Sequence, residues 1–400
     1  MTHQRKATFQ GNAVANQEKL AVLAERKRPM FDLFPLFRRR PSFDWIQVEV
    51  SSRCNAACRY CPHTIYRQLW LEEDMSLELF CRLLPAFRFA PLVYLQGWGE
   101  PFLNPHFFEM VRLVHKAGSL VGTTTNGTLV AGDMLERCFD PGLDIVAFSL
   151  AGTGAQNDFW RRGTSLEKVL SLLHSLKKEK ARRGSKRPLV HVAYLLLRSN
   201  ASELLQLPVL LDGLEISQVV VSTLDFVPVP SLTGESFFTA PEEEVAAVRE
   251  LCRRVVEEGR RRGLKIHCRL GHPGVARETC PENVQRVLFV GVDGYLSPCV
   301  FAHLPLVQQG AEPSGGIRGH VVREGPEPSG GIRAQEGGPG SGGEFSPVRS
   351  LSFGRIQEEE LTRAWFRPAW VTFRQSFVRG ETPQDCRHCG RLYGEEIGYG

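Results

Sequence analysis

The chain has 400 residues, an apolar fraction of 42% and a net charge of +5 at pH 7. The length points to more than one ordinary domain, though a barrel can run this long, and the apolar share suits a sizeable core. No apolar run approaches the roughly 20 residues that span a bilayer, which excludes a helical membrane protein. The modest charge, with no nucleic-acid fold signature, argues against a nucleic-acid partner.

Residues 1–44 form a basic extension with Arg38-Arg39-Arg40 near its end. It lacks the apolar segment and small-residue cleavage site of a secretory signal, so a cytoplasmic protein is expected. From Trp45 to Thr223 strand-like and helix-like segments alternate. Runs rich in β-branched residues stand at Trp45–Ser51, Leu92–Gln96, Leu120–Thr125, Ile145–Leu150, Leu189–Leu197 and Gln218–Thr223. Helical patterns lie between them near Ser76–Phe87, Pro105–Ala117, Leu129–Cys138, Ser165–Arg183 and Ser202–Leu211. Such repeated units predict an α/β fold with a parallel sheet and right-handed crossovers. Six units are too few to close an eightfold barrel.

The core so delimited spans residues 45–240. A long helix follows from Pro241 to Gly263. Pro241 suits its first turn, and Glu242-Glu243-Glu244 complements the positive end of its dipole. Leu264–Leu270 reads as a further strand, which makes 241–279 a connecting helix and strand. From Cys280 the chain changes to cysteines, turns and short elements, a smaller second domain over 280–400. Inside it, residues 309–346 are rich in Gly, Pro, Ser and Glu, and Glu312-Pro-Ser-Gly-Gly-Ile-Arg318 recurs as Glu327-Pro-Ser-Gly-Gly-Ile-Arg333. A segment so poor in apolar residues is expected to be a disordered insertion, with a flexible lid or docking arm as the alternative.

Eleven cysteines in a cytoplasmic chain argue for metal or catalysis rather than disulfides, and the odd count agrees. Three stand in Cys54-Asn-Ala-Ala-Cys58-Arg-Tyr-Cys61, directly after the first strand. Thiolates favour iron–sulfur clusters and zinc. A four-iron cube takes four protein ligands, and this loop supplies three, so one iron stays open. A zinc site completed by His63 is the other reading. The spacing, with an aromatic residue just before the third cysteine, resembles the signature of radical S-adenosylmethionine (SAM) enzymes. The resemblance implies an open, partial (β/α)6 TIM-like barrel. It also implies a [4Fe–4S] cluster on Cys54, Cys58 and Cys61, with SAM chelated to the open iron. Reductive cleavage of SAM then gives a 5′-deoxyadenosyl radical that takes a hydrogen atom from the substrate.

Three further motifs follow in the order this family requires. Gln96-Gly97-Trp98-Gly99-Glu100-Pro101 resembles the glycine–glutamate motif, in which backbone oxygens and the acidic side chain bind the SAM amino group; Gly97, Gly99 and Glu100 are the candidates. Trp98 stands where a small residue is common. After the third strand, Asn126-Gly127 walls the SAM site or simply turns the chain. After the fourth, Ser149 matches a serine near the SAM ribose and carboxylate. Arg162 matches an arginine fork for the carboxylate, with Arg161 one step away in register. Tyr60 completes the implied cofactor-binding set.

A second group comprises Cys280, Cys299, Cys386 and Cys389, in an order that resembles the SPASM-type C-terminal extension of radical SAM enzymes. Four cysteines suffice for one auxiliary [4Fe–4S] cluster with no open iron. Structural zinc is the alternative, and Cys268 could replace Cys280. His388 is an unsuited ligand beside two cysteines. Cys81, Cys138 and Cys252 fall in predicted helices and read as core. The implied activity is a radical SAM enzyme acting on a peptide or protein, with a cofactor or small molecule as the second class. The implied partners are that substrate and a reductant such as ferredoxin or flavodoxin. The rival from another class is an iron–sulfur electron carrier or zinc-stabilised binding protein.

Overall fold

The computed structural model describes residues 40–306 except 275 and 278, residues 319–320, and residues 350–398 except 388. The extension up to residue 39, most of the 309–346 insertion and His388 lie outside the described residues. Seven strands run parallel and side by side in chain order: β1 Trp45–Val48, β2 Leu92–Leu95, β3 Leu120–Thr125, β4 Ile145–Leu150, β5 Leu189–Leu196, β6 Ile216–Thr223 and β7 Ile266–Leu270. This is the expected mixed α/β partial barrel, with the seventh strand supplied by the segment after the long helix.

Both edges of the sheet are covered by the C-terminal region. β8, Val287–Val290, pairs parallel with β1, and β9, Leu296–Ser297, pairs antiparallel with β8. β10, Gly319–His320, and β11, Ser350–Leu351, form a separate antiparallel pair. β12, Glu395–Ile397, pairs antiparallel with β7. Unpaired strand edges invite foreign pairing, and a barrel that does not close has two. β8 is buried at all four residues because it lies inside the assembled sheet.

Period-two alternation sets the two faces of each strand. Val48, Leu95, Val121, Val146, Val192 and Val221 are buried on the outer face and join one hydrophobic core. Register places Gln47 beside Tyr94, Thr124 beside Ala147 and Ser149 beside Ala193 on the inner face. The outer face is covered by helices, including α1 Phe107–Lys116, α3 Leu166–Arg183 and α4 Glu242–Arg261, whereas α2 Ala155–Trp160 lies at the carboxyl end of the strands, its Trp160 packed with Ala151, Leu197 and Leu224. α3 begins where the Ser165 side chain accepts from the N–H of Lys168 and ends at Gly184 in the left-handed region, φ 59°. α5, Pro368–Val378, belongs to the C-terminal region, whose Trp365 and Trp370 share the same core with Phe43.

Several helices differ from expectation, for reasons of proline and glycine. Ser76–Phe87 is two short helices, Leu77–Cys81 and Leu84–Phe87, because Pro85 has no N–H to continue the ladder. Leu129–Cys138 shrinks to Asp133–Arg137 behind Gly132 at φ 52°. Ser202–Leu211 is mostly 3₁₀, becoming α-helical only at Leu207–Leu210 around Pro208. Cys81 is exposed rather than core, whereas Cys138 and Cys252 are buried as expected.

Candidate active site

The carboxyl ends of parallel strands are where α/β sheets place their chemistry, and the cysteine loop leaves β1 at that end. Its backbone lies against the end of α2. Ala57 N–H donates to Arg162 O at 2.7 Å, and Arg59 N–H donates to Trp160 O at 2.9 Å. A tight turn brings Cys61 N–H to Cys58 O at 3.1 Å. The three thiols stand close enough for their charges to interact. Burial pushes the Cys54 thiol up to about 11, with Cys58 adding to the rise. Burial lifts Cys61 further, and Cys58 and Cys54 add to it. Burial thus holds the Cys54 and Cys61 thiols protonated unless a strong cation is near, and an all-sulfur donor set fits iron–sulfur chemistry. His63 packs edge-on against Trp70 at 5.3 Å and faces Glu72 at 3.5 Å.

The glycine loop after β2 is built by close approach. A Cβ on Gly99 would lie 2.3 Å from Ser51 O and 2.6 Å from Arg53 O, and one on Gly97 would lie 2.4 Å from Glu49 Cγ. Only glycine lets this loop lie on the end of β1 beside the cysteines. Glu100 is buried, and both its oxygens are engaged. Oε1 accepts from Thr125 Oγ1 at 2.8 Å, and Oε2 accepts from Asn126 N–H at 2.8 Å. Burial raises its carboxyl to about 7. The side chain thus braces the β2 loop to the β3 loop.

Asn126 is likewise occupied. Its Nδ2 donates to Asn55 Oδ1 at 2.9 Å and approaches Cys54 Sγ at 4.0 Å, while its Oδ1 accepts from Thr128 N–H at 2.9 Å. Ser149 is half-buried on the inner face of β4. The arginine directed at the cysteine loop is Arg161, not Arg162. Arg161 is buried and its Nη1 donates to Tyr60 Oη at 2.8 Å, whereas the Arg162 side chain is exposed. α2 stops at Trp160, and Arg161 leaves the helix with φ −104° and ψ 54°, which turns it inward and its successor out. Burial pushes the Tyr60 hydroxyl above its ordinary range.

The second cysteine group also assembles. Burial lifts the Cys299 thiol well above normal, with Cys280, Cys389 and Cys386 all contributing. Cys280 rises to about 12, also chiefly through burial. Beside them Arg391 is buried between two carboxylates, reaching Asp225 Oδ2 at 2.6 Å and, through Nε, Glu282 Oε1 at 3.0 Å. Cys268 stands apart: it is buried on β7 beside Cys252 of α4, and both thiols are free. Among the described residues no three His, Cys, Asp or Glu side chains are placed to hold a single metal ion. A mononuclear zinc needs every sulfur about 2.3 Å from one point, while a cube gives each cysteine its own iron.

Two family matches follow the same division. Residues 48–207 match the Radical SAM superfamily, and residues 280–390 match the SPASM iron–sulfur cluster-binding domain. The chain belongs to the radical SAM superfamily. This radical SAM enzyme is 26% identical over 343 residues to the tungsten-containing aldehyde ferredoxin oxidoreductase cofactor-modifying protein of Pyrococcus furiosus, covering 82% of this chain and 83% of that one. It is 29% identical over 178 residues to pre-heme d1 synthase of Dinoroseobacter shibae, covering 44% of this chain and 42% of that one. Its fold matches Streptococcus suis SuiB bound to S-adenosylmethionine with a TM-score of 0.58 at 14% identity, covering 88% of this chain and 71% of that one. The radical SAM enzyme accordingly uses a [4Fe–4S] cluster with SAM, and its C-terminal domain is of the iron–sulfur cluster-binding kind. No helix among the described residues is long and apolar enough to cross a membrane.

Residues beyond the motifs complete the site. Asn55 and Thr125 carry bonds that fix its loops, and Glu49 lies buried under the glycine loop, accepting from Trp98 N–H at 2.8 Å. Asn55 lies inside the cysteine motif, where a polar residue next to a ligand was a readable signal. Glu49 was readable as a charge between Val48 and Val50, just past the first strand.

Proposed function

We propose that Cys54, Cys58 and Cys61 hold the SAM-binding cluster, that Cys280, Cys299, Cys386 and Cys389 hold one auxiliary [4Fe–4S] cluster, and that the substrate is a cofactor or its precursor. The similarity to a cofactor-modifying protein over four-fifths of both chains carries the substrate reading. When bound, the reduced cluster and SAM supply a 5′-deoxyadenosyl radical that takes a hydrogen atom from the substrate. The chain's own residues orient and shield that event. Backbone oxygens of Gly97 and Gly99 would accept from the SAM ammonium, Ser149 on the inner wall would line the nucleoside site, and Arg161, held by Tyr60, would counter thiolate charge beneath the loop. The polar inner wall that includes Gln47, Tyr94, Thr124 and His191 suits a hydrogen-bonding substrate more than an apolar one.

The electron comes from an external one-electron carrier such as ferredoxin or flavodoxin, in a reducing cytoplasm that keeps the thiols free. The division into a core at 45–240, a connection at 241–279 and an auxiliary domain at 280–400 completes the proposal. Anaerobic reconstitution, then dithionite and SAM, tests it. Release of 5′-deoxyadenosine and iron near about eight atoms per chain support two cubes. Faster release on adding a low-molecular-mass cell fraction supports a cofactor precursor. Acceleration by the peptide fraction alone sinks that substrate class in favour of a peptide.

A further inference from the structure

We propose that Trp98 is a positioning residue that ties the SAM site to the auxiliary cysteine site, so that filling the second tightens binding at the first. The inference rests on the ligand reading above. Trp98 interrupts the glycine motif where a small residue is common, and its side chain reaches the C-terminal region. Its indole Nε1–H points at two carbonyl oxygens of the turn after Cys299, His303 at 2.9 Å and Val300 at 3.2 Å. Phe301 of that turn meets the indole edge-on at 5.8 Å, and Phe226 from the loop after β6 closes the group at 6.1 Å. On the other side of the loop, Trp98 N–H is held by Glu49, whose second oxygen accepts from Val292 N–H at 3.4 Å.

The same segment also grips the chain that frames the cysteine loop. Leu71 N–H donates to Pro305 O at 2.7 Å, and the Trp70 indole donates to Ser52 O at 2.9 Å, just ahead of Cys54. Residues 292–306 therefore clamp both halves of the SAM site. Cys299 opens this turn, and its carbonyl accepts from Ala302 N–H at 3.2 Å. A cluster that fixes the Cys299 sulfur fixes the carbonyls of residues 300–303, and those carbonyls fix Trp98. Coupling between two sites is reciprocal, so SAM must in turn steady the auxiliary cluster.

The test uses the full-length, reconstituted enzyme with SAM alone as probe. Cys389→Ala removes one auxiliary ligand without touching the turn. Iron and SAM affinity are measured by equilibrium dialysis, and the reduced SAM-binding cluster is followed by electron paramagnetic resonance with and without SAM. Loss of about half the iron with SAM affinity weakened about fivefold or more is expected. Trp98→Phe keeps the ring but not the N–H; it weakens SAM binding, and adding Cys389→Ala to it costs much less than in the parent. Half the iron lost with unchanged SAM affinity, or fully additive effects, overturns the coupling. Iron unchanged in Cys389→Ala overturns instead the ligand reading beneath it. Trp98→Phe also tests the coupling with every cysteine in place, even if Cys389→Ala does not fold. SAM slows chelator stripping of the auxiliary iron in the parent and loses that effect in Trp98→Phe; equal protection in both overturns the proposal.

Discussion

The guanidinium of Arg161 donates to the hydroxyl of Tyr60 at 2.8 Å, directly beneath the cysteine loop. The next residue, Arg162, sends its side chain to solvent and gives the loop only its carbonyl oxygen. Two adjacent arginines therefore have separable roles. Arg161→Gln should lower cluster retention and SAM cleavage about 10- to 100-fold, the usual effect of groups that support metal ligands. Arg162→Ala should change either by no more than about twofold, as surface substitutions do. Iron content and 5′-deoxyadenosine release measure both, and equal effects would remove the distinction.

Gly99 leaves no room for a side chain, because its would-be Cβ meets the backbone oxygens of Ser51 and Arg53. Gly99→Ala must push the glycine loop off the end of β1. A cost of about 1–3 kcal/mol is expected from such overpacking. The cysteine loop shifts with it, so reconstituted iron at the first site should fall along with the urea midpoint.

Glu49 is wholly buried, and burial raises its carboxyl from 4.5 to about 7. The folded chain thus keeps a proton that the unfolded chain has already released. Stability contributed by this group is full below 4.5 and falls as pH rises towards 7, by on the order of 3 kcal/mol. Glu100, also raised to about 7 by burial, acts in the same direction. Glu49→Gln should therefore make the fall shallower without abolishing it. Urea midpoints of the metal-free protein at about pH 5 and about pH 8 give the comparison; an unchanged slope would contradict it.

Arg391 holds two buried carboxylates beside the auxiliary cysteines. Burial alone would raise Glu282, but Arg391 and Arg269 together outweigh it and hold that carboxyl below its ordinary range. Arg391→Ala takes from both acids their hydrogen-bonded ion-pair partner, leaving only the more distant Arg269 and Arg277, which should cost about 3–5 kcal/mol. Thermal unfolding measures the loss. Restoration by Asp225→Asn with Glu282→Gln in the same chain would show that stranded charge, not lost packing, is the cause.

The strands were readable because β-branched runs recur between helical patterns, and Cys54, Cys58 and Cys61 were readable because their spacing is local, whereas Cys280 and Cys299 lie far along the chain from Cys386 and Cys389 and were grouped only through the resemblance. What escaped was long-range or geometric. Arg161 and Arg162 are the same residue type, and only the backbone turn at the end of α2 separates them. Glu100 looked like a free ligand, yet its bonds to Thr125 and Asn126 arise where two loops meet. The Trp98 indole and the His303 carbonyl are 205 positions apart, and Asp225 and Arg391 are 166 apart. No local pattern encodes such pairs.

The strands that cap the two sides of the barrel come from Val287–Val290 and Glu395–Ile397. A ribosome makes the barrel's own strands first and these last. During synthesis the nascent barrel carries two bare flanks open to mispairing. The flank beside β7 is thus covered only once Glu395–Ile397 has left the ribosome, so the sheet closes its sides long after its seven parallel strands exist.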